Sequence, residues 1–138
     1  MPSIDTYSTN KKTLSNNPMR VSKAGLQAFF AITKRWELNS QQERALLGNP
    51  PQTTYYRWKK KKVGRLGSKS LERISLVLGI YKNLQILLPQ NTLSLNCWML
   101  KPNEASLFLG TTPLAYILSS DNADNLRNVK RFLDAQKV

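Results

Sequence analysis

Residues 38–67 read LNSQQERALLGNPPQTTYYRWKKKKVGRLG, and this stretch decides the fold. Its first part predicts a short helix over residues 40–47, because Ala and Leu residues give it one apolar face. Asn39 or Ser40 is positioned as the N-cap. Glu43 follows Ser40 by three residues, as in a capping box, in which two side chains satisfy the free N–H groups of the first turn.

A tight turn separates this helix from the next one. Gly48 is placed to end the first helix, because glycine readily adopts the left-handed conformation that closes a helix. Pro50 and Pro51 cannot continue a helix, but proline suits the first turn of a new one. We therefore predict a second short helix over residues 52–60.

The second helix combines an aromatic face with a cationic one. Tyr55 and Trp58 share a face and are expected to pack against the first helix and Phe29 and Phe30. Two short helices joined in this way are typical of a helix-turn-helix, whose second helix enters the major groove of DNA. The residues expected to read base edges are Gln52, Thr53, Thr54 and Tyr56. Those expected to meet phosphates are Arg57, Lys59, Lys60, Lys61, Lys62 and Arg65.

The charge of the chain agrees with a polyanionic partner. Its 138 residues include 21 Lys and Arg against 8 Asp and Glu, which gives a net charge of +13. Residues 1–67 hold 13 basic and 3 acidic residues, and residues 68–138 hold 8 and 5. The excess is therefore concentrated around the helix-turn-helix, where it favours DNA contact over the two alternatives, a solvated lysine face and an acidic membrane surface.

The remaining sequence predicts further helices and no strand, so the fold class is all-α. Residues 1–18 are polar and poor in large apolar side chains, and we interpret them as a disordered arm. Lys11 and Lys12 of this arm are either solvated or in contact with DNA phosphates. The expected helices cover residues 20–36, 68–88, 92–100, 103–108, 113–119 and 122–137, from apolar spacing of three and four.

Several residue types that carry chemistry are missing. The chain has no His and one Cys, Cys97. These counts exclude histidine-based catalysis, an intrachain disulfide and a cysteine-rich metal site. No apolar run approaches a membrane span and the first residues do not form a secretory signal. We expect a soluble cytoplasmic protein that is not an enzyme and that uses no metal or cofactor.

The back half carries a second set of motifs. These are LERIS and LGIYK within residues 71–82, a W…PN…F.G..PL pattern, and the closing V..FLDA. The W…PN…F.G..PL pattern consists of Trp98, Pro102, Asn103, Phe108, Gly110, Pro113 and Leu114. Together with LLGNPPQTTYYRW, this order of motifs resembles the Xre/MbcA/ParS group of antitoxins, and the resemblance covers about residues 26–135.

The resemblance implies a function in two parts. Antitoxins of this group pair with RES-domain toxins that destroy NAD⁺, typically form dimers, and repress their own operon by binding its promoter. It implies a helix-turn-helix domain over residues 19–67 and a small helical toxin-binding and dimerisation domain over residues 68–138. The toxin-binding residues carried over are Trp98, Asn103, Phe108, Gly110, Pro113, Arg131, Asp134, Gln136 and Lys137.

Two alternatives stay open. A helix-turn-helix regulator without a toxin partner would carry the same front half. In the back half, Trp98 and Phe108 are also ordinary core residues, Asn103 an ordinary helix N-cap, and Gly110 an ordinary helix stop. Parts of the apolar stripe over residues 71–84 suit either the core or a homodimer seam.

Overall fold

Helices form over most of the segments in which the sequence spaces its apolar residues by three and four. The computed structural model describes residues 18–61, 65–88 and 92–137. The predicted arm over residues 1–18 falls almost entirely outside these ranges. Within them we observe seven α-helices, one 3₁₀-helix and no strand, which confirms the all-α fold class. The elements are α1 (Pro18–Arg35), α2 (Ser40–Leu46), α3 (Gln52–Lys61), α4 (Ser68–Leu87), α5 (Thr92–Cys97), the 3₁₀-helix Trp98–Leu100, α6 (Pro113–Leu118) and α7 (Asp124–Gln136).

The cap of α2 differs from one expectation. Asn39 is the N-cap: its Oδ1 accepts a hydrogen bond from the Gln42 backbone N–H at 2.8 Å, and Gln42 Oε1 accepts one from the Asn39 N–H at 2.9 Å. The capping box is therefore Asn39 with Gln42, and the prediction that pairs Ser40 with Glu43 is wrong. Glu43 is buried instead, with an exposed fraction of 3%.

The turn between α2 and α3 follows the sequence prediction. Gly48 has φ +94° and Asn49 has φ +56°, so the chain leaves α2 through two left-handed residues. An added Cβ on Gly48 would lie 3.1 Å from Arg73 Nε, a tight contact that would displace the arginine side chain slightly. Arg44 Nε donates a hydrogen bond to the Pro50 carbonyl at 2.6 Å, which connects the end of α2 to the residues before α3 and stabilises the turn.

α4 is the central element of the packing. It packs against α1 on one side and α7 on the other. At the α1 contact, the Trp36 and Tyr81 rings lie 6.0 Å apart, and the Arg35 guanidinium donates to the Tyr81 hydroxyl at 3.0 Å. The Lys130 side chain of α7 lies over Gly79, where an added Cβ would be 2.7 Å from Lys130 Cε and would displace the end of that side chain. The division of the chain at residue 67 stays a prediction, and α4 contacts helices on both sides of it.

The segment before α6 is a loop, and the helix predicted over residues 103–108 is wrong. Asn103 is not a helix N-cap. Its Oδ1 accepts a hydrogen bond from the backbone N–H of Ala105, two residues further on, at 2.9 Å, and this bond closes a turn. The Asn103 backbone pairs with Gly110 at 2.8 Å and Thr111 at 3.0 Å, so the chain folds back on itself. The chain returns to this closed base through Leu109, at φ +52°, and Gly110, at φ +88°.

Candidate nucleic-acid interface

α3 is held in the protein by two aromatic side chains on its inner face. Tyr55 and Trp58 have exposed fractions of 1% and 6%. The Tyr55 ring lies 6.3 Å from the Phe30 ring of α1. Burial of two such rings stabilises the helix by several kcal/mol, about 1.5–3 for each large apolar side chain. The expectation that these residues anchor α3 is confirmed.

The outer face of α3 carries the polar residues. Tyr56 has an exposed fraction of 53%, and its ring meets Tyr55 edge-on at 5.0 Å. Thr54 is half-buried. The other described side chains of the predicted interface that are exposed are Gln52, Thr53, Arg57, Lys60, Lys61 and Arg65. Lys62 lies outside the described residues. The structure thus brings all of these described side chains except Arg65, which follows α3, to one helix.

A cleft of about 370 Å³ lies where the first turns of α2 and α3 meet. Its lining residues are Ser40, Gln41, Arg44, Gln52, Tyr55 and Tyr56. Their groups are hydrogen-bonding side chains and one exposed aromatic ring, with no acidic residue among them. A surface of this composition can accept the edge of a polyanion without charge repulsion.

Lys59 differs from its neighbours. Its Nζ lies 2.9 Å from Glu43 Oε1 and 5.8 Å from the centre of the Tyr55 ring. The hydrogen bond with Glu43 is the main cause that raises the pKa of Lys59 above its ordinary value. Burial, followed by the Glu43 contact, likewise raises the pKa of Tyr55. Lys59 is thus directed along the protein surface, whereas Lys60 and Lys61 extend into solvent.

The residues of the implied toxin-binding set occupy two kinds of position. Phe108 and Pro113 are buried, with Trp98, Asn103 and Gly110 half-buried around them. Pro113 opens α6 after the N-cap Thr112, as the sequence predicts. The remaining members lie on α7 or directly after it: Arg131, Gln136 and Lys137 are exposed, and Asp134 is half-buried.

Asp134 has a role inside the protein. Its Oδ1 accepts from the Asn83 side-chain amide of α4 at 2.8 Å, and Lys130 Nζ lies 3.1 Å from Oδ2. The Asn83 hydrogen bond, followed by the one from Lys130, lowers the pKa of Asp134. This carboxylate therefore joins α7 to α4.

The sequence reasoning missed two buried charged residues that connect separate parts of the fold. Glu43 reads as a capping residue but is a buried hydrogen-bond acceptor for Thr33 and Tyr55. Arg73 of α4 is also buried, and its guanidinium donates to the carbonyls of Leu46 at 3.3 Å and Asp121 at 3.2 Å. Burial lowers the pKa of Arg73. The available signal was the spacing of Glu43 from Leu46 and Leu47, which puts an acid on the apolar face of α2.

Comparison with known proteins assigns the amino-terminal half to a domain family. Residues 17–79 match the family described as an antitoxin Xre-like helix-turn-helix domain, a span that holds α1 to α3 and much of α4. We find no helix in the described part of the chain with the length and hydropathy needed to cross a bilayer. No solved structure matches the chain significantly.

One curated relative aligns over most of both chains. The protein is 37% identical over 114 residues to "Uncharacterized protein y4oB" of Sinorhizobium fredii, an alignment that covers 83% of this chain and 84% of the relative. The chain therefore carries an antitoxin Xre-like helix-turn-helix domain and belongs to the same family as y4oB.

Proposed function

We propose that this protein is the antitoxin of a type II toxin–antitoxin pair in the cytoplasm. It binds the promoter of its own operon through α3 and neutralises a RES-type, NAD-degrading toxin through its carboxy-terminal half, as a homodimer. The observation that carries the proposal is the geometry of α3 within an Xre-like domain. Tyr55 and Trp58 fix its inner face, and the polar residues from Gln52 onward remain exposed on the outer one.

The DNA-binding part rests on the chemistry of the exposed residues. Gln can pair with the adenine edge in the major groove, and Thr can donate to a base or contact the thymine methyl group. Gln52 and Thr53 lie in the first turn of α3, the part of a recognition helix that reaches base edges. Lys60 and Lys61 lie in its last turn, where they supply phosphate contacts on either side of the groove.

Fluorescence anisotropy on the duplex upstream of the gene tests this part. Each phosphate contact contributes about 0.9 to the slope of log K against log salt concentration. The double variant Lys60→Gln/Lys61→Gln should flatten that slope by up to about 1.8. Lys82→Gln/Lys101→Gln is a matched control, because it removes the same charge from exposed lysines of the back half. Equal slopes for the two double variants would contradict DNA contact through α3.

The toxin-binding part rests on the resemblance of the back half to antitoxins that pair with RES-domain toxins. The exposed face at the end of α7, which carries Arg131, Gln136 and Lys137, is the surface of this set that a partner can reach without unfolding the protein. The buried members, Phe108 and Pro113, shape the module behind it.

Co-expression with the neighbouring reading frame tests this part. We expect the protein to restore growth and cellular NAD⁺ in cells that produce the neighbour. Arg131→Glu should weaken the rescue. Lys23→Glu, an equal charge reversal at an exposed side chain of α1, should leave it intact. A neighbour that lowers no NAD⁺, or that the protein fails to neutralise, would remove the toxin from the proposal.

A second candidate function is a helix-turn-helix regulator without a toxin partner. It is favoured by one observation: the family match ends at residue 79, before α5, α6 and α7. Promoter binding together with failed rescue would select this candidate. Light scattering of the free protein would show whether it forms a dimer.

A further inference from the structure

A single buried carboxylate connects the three helices of the helix-turn-helix. Glu43 lies on α2 and has an exposed fraction of 3%. Its Oε2 accepts a hydrogen bond from the Thr33 hydroxyl of α1, and its Oε1 accepts one from the Tyr55 hydroxyl of α3. Thr33 and Tyr55 are themselves buried, with exposed fractions of 0% and 1%. One side chain therefore fixes α2 to the helix before it and to the helix after it.

A cation completes this cluster at its solvent side. The Lys59 ammonium lies 2.9 Å from the same Oε1 atom that Tyr55 contacts, and 3.4 Å from the Tyr55 hydroxyl. Tyr55 and Lys59 are four residues apart, so they lie on one face of α3. A buried carboxylate is tolerated only when it is paired and hydrogen-bonded, and this one is both.

We propose that Glu43 is a positioning residue for α3: it fixes the rotation and register of this helix and holds Lys59 away from the DNA backbone. The inference rests on the proposed promoter binding. Glu43 itself touches no DNA. It acts through Tyr55 and Lys59, whose joint contact with one oxygen restricts the placement of α3.

The apolar contacts of α3 specify its placement less sharply. Burial of Tyr55 and Trp58 is favourable but non-directional, so it restrains a small slide or rotation of α3 less than a hydrogen bond of defined length does. The same slide would break both contacts to Glu43 Oε1. Since α3 presents Gln52 and Thr53 to the base edges, its placement decides which bases they meet. A displaced helix would still bind phosphates, so the expected defect is in sequence discrimination.

The test compares Glu43→Gln with Glu37→Gln in the full-length protein. Glutamine keeps the volume of Glu43 and one acceptor oxygen but removes the charge that pairs with Lys59. Glu37 is exposed and lies in the same half of the chain, so Glu37→Gln removes an equal charge outside the cluster. Anisotropy measures the affinity of each protein for the promoter duplex and for a scrambled duplex over a series of salt concentrations.

We expect Glu43→Gln to lower the ratio of promoter to scrambled affinity by about tenfold, the effect of losing one base contact. We also expect its salt slope on scrambled DNA to steepen by about 0.9, because Lys59 gains a phosphate contact. A purely stabilising role for Glu43 would not steepen the slope. If Glu43→Gln matches Glu37→Gln in both quantities, the proposal is overturned.

Amide hydrogen exchange separates this proposal from the proposed function. Glu43→Gln should speed exchange in α3 and leave α7 unchanged, and uniform acceleration would overturn the positioning role. If the wild-type protein does not prefer promoter DNA, the proposed function fails, and the exchange result alone decides the role of Glu43. If Glu43→Gln does not fold, Tyr55→Phe takes its place, because it removes one hydroxyl from the cluster. It should show a smaller effect in the same direction. Unchanged sequence discrimination and unchanged exchange in Tyr55→Phe would overturn the proposal.

Discussion

Replacement of Phe108 by leucine tests the packing of the back half. The Phe108 ring has an exposed fraction of 2%. It meets the Trp98, Tyr116 and Phe132 rings edge-on, with centroid distances of 5.8, 5.5 and 5.4 Å. These partners come from the 3₁₀-helix, α6 and α7, so one ring joins three elements.

The cost of the replacement follows from these contacts. Each edge-to-face pair contributes about 0.5–1.5 kcal/mol beyond its burial. Leucine keeps most of the apolar contact but makes no ring–ring interaction and leaves a small cavity. We therefore expect Phe108→Leu to lower the free energy of unfolding by about 3 kcal/mol, a large part of the roughly 5–15 kcal/mol that stabilises a typical domain.

Urea denaturation followed by circular dichroism measures this loss. Fluorescence of Trp98 reports the site itself when Trp36 and Trp58 are replaced by Phe in both proteins. Leu109→Ala is the matched control, because Leu109 is the next residue and 84% exposed. It should change stability by less than about 0.5 kcal/mol. A loss below about 1 kcal/mol for Phe108→Leu would refute the reasoning. The toxin neutralisation that we propose should fail in this variant on warming and persist in the cold, because the defect is one of folding.

Three further predictions concern local structure. Gly48→Ala should lower the free energy of unfolding by about 1–2 kcal/mol, because Gly48 has φ +94°. Gly67→Ala is the control: an added Cβ there meets open space, so the thermal midpoint should shift little. Asn39→Ala removes the N-cap of α2 and should cost about 1 kcal/mol in urea denaturation; no loss would contradict the capping box. The pKa of Asp134 is lowered from 3.8, so its contribution is present above that pH and lost as the pH falls through its folded value. At acid pH, the free energy of unfolding should therefore fall less steeply with decreasing pH for Asp134→Asn than for the wild type. Parallel profiles would contradict a stabilising role for the Asp134 carboxylate.

The features that depend on spacing could be predicted from the sequence. Tyr55 and Trp58, three residues apart, identified the buried face of α3 because only one face of a helix can meet the core. Gly48 identified the turn because few other residues adopt its conformation without cost. The predicted DNA-contacting residues lie mostly on the opposite, exposed face of α3, and their role in binding stays a prediction.

The features that depend on side-chain partners could not be predicted. Lys59 looks identical to Lys60 and Lys61 in the sequence, yet it contacts Glu43, sixteen positions earlier. The spacing of Glu43 from Leu46 and Leu47 indicates that it faces the core but does not identify its partners. The predicted helix over residues 103–108 failed for a similar reason. Its apolar residues have helical spacing, but the backbone contacts of Asn103 with Gly110 and Thr111 favour a closed loop.

The placement of α4 between α1 and α7 limits how such proteins can be recombined. A chimaera that joined residues 68–138 to a foreign helix-turn-helix would expose the α4 surface that now meets Trp36, the residue after α1. An exchange of the proposed DNA specificity should therefore keep α1 and α4 and replace only the outer residues of α3. Over evolutionary time, we expect the two halves of this protein to be inherited together.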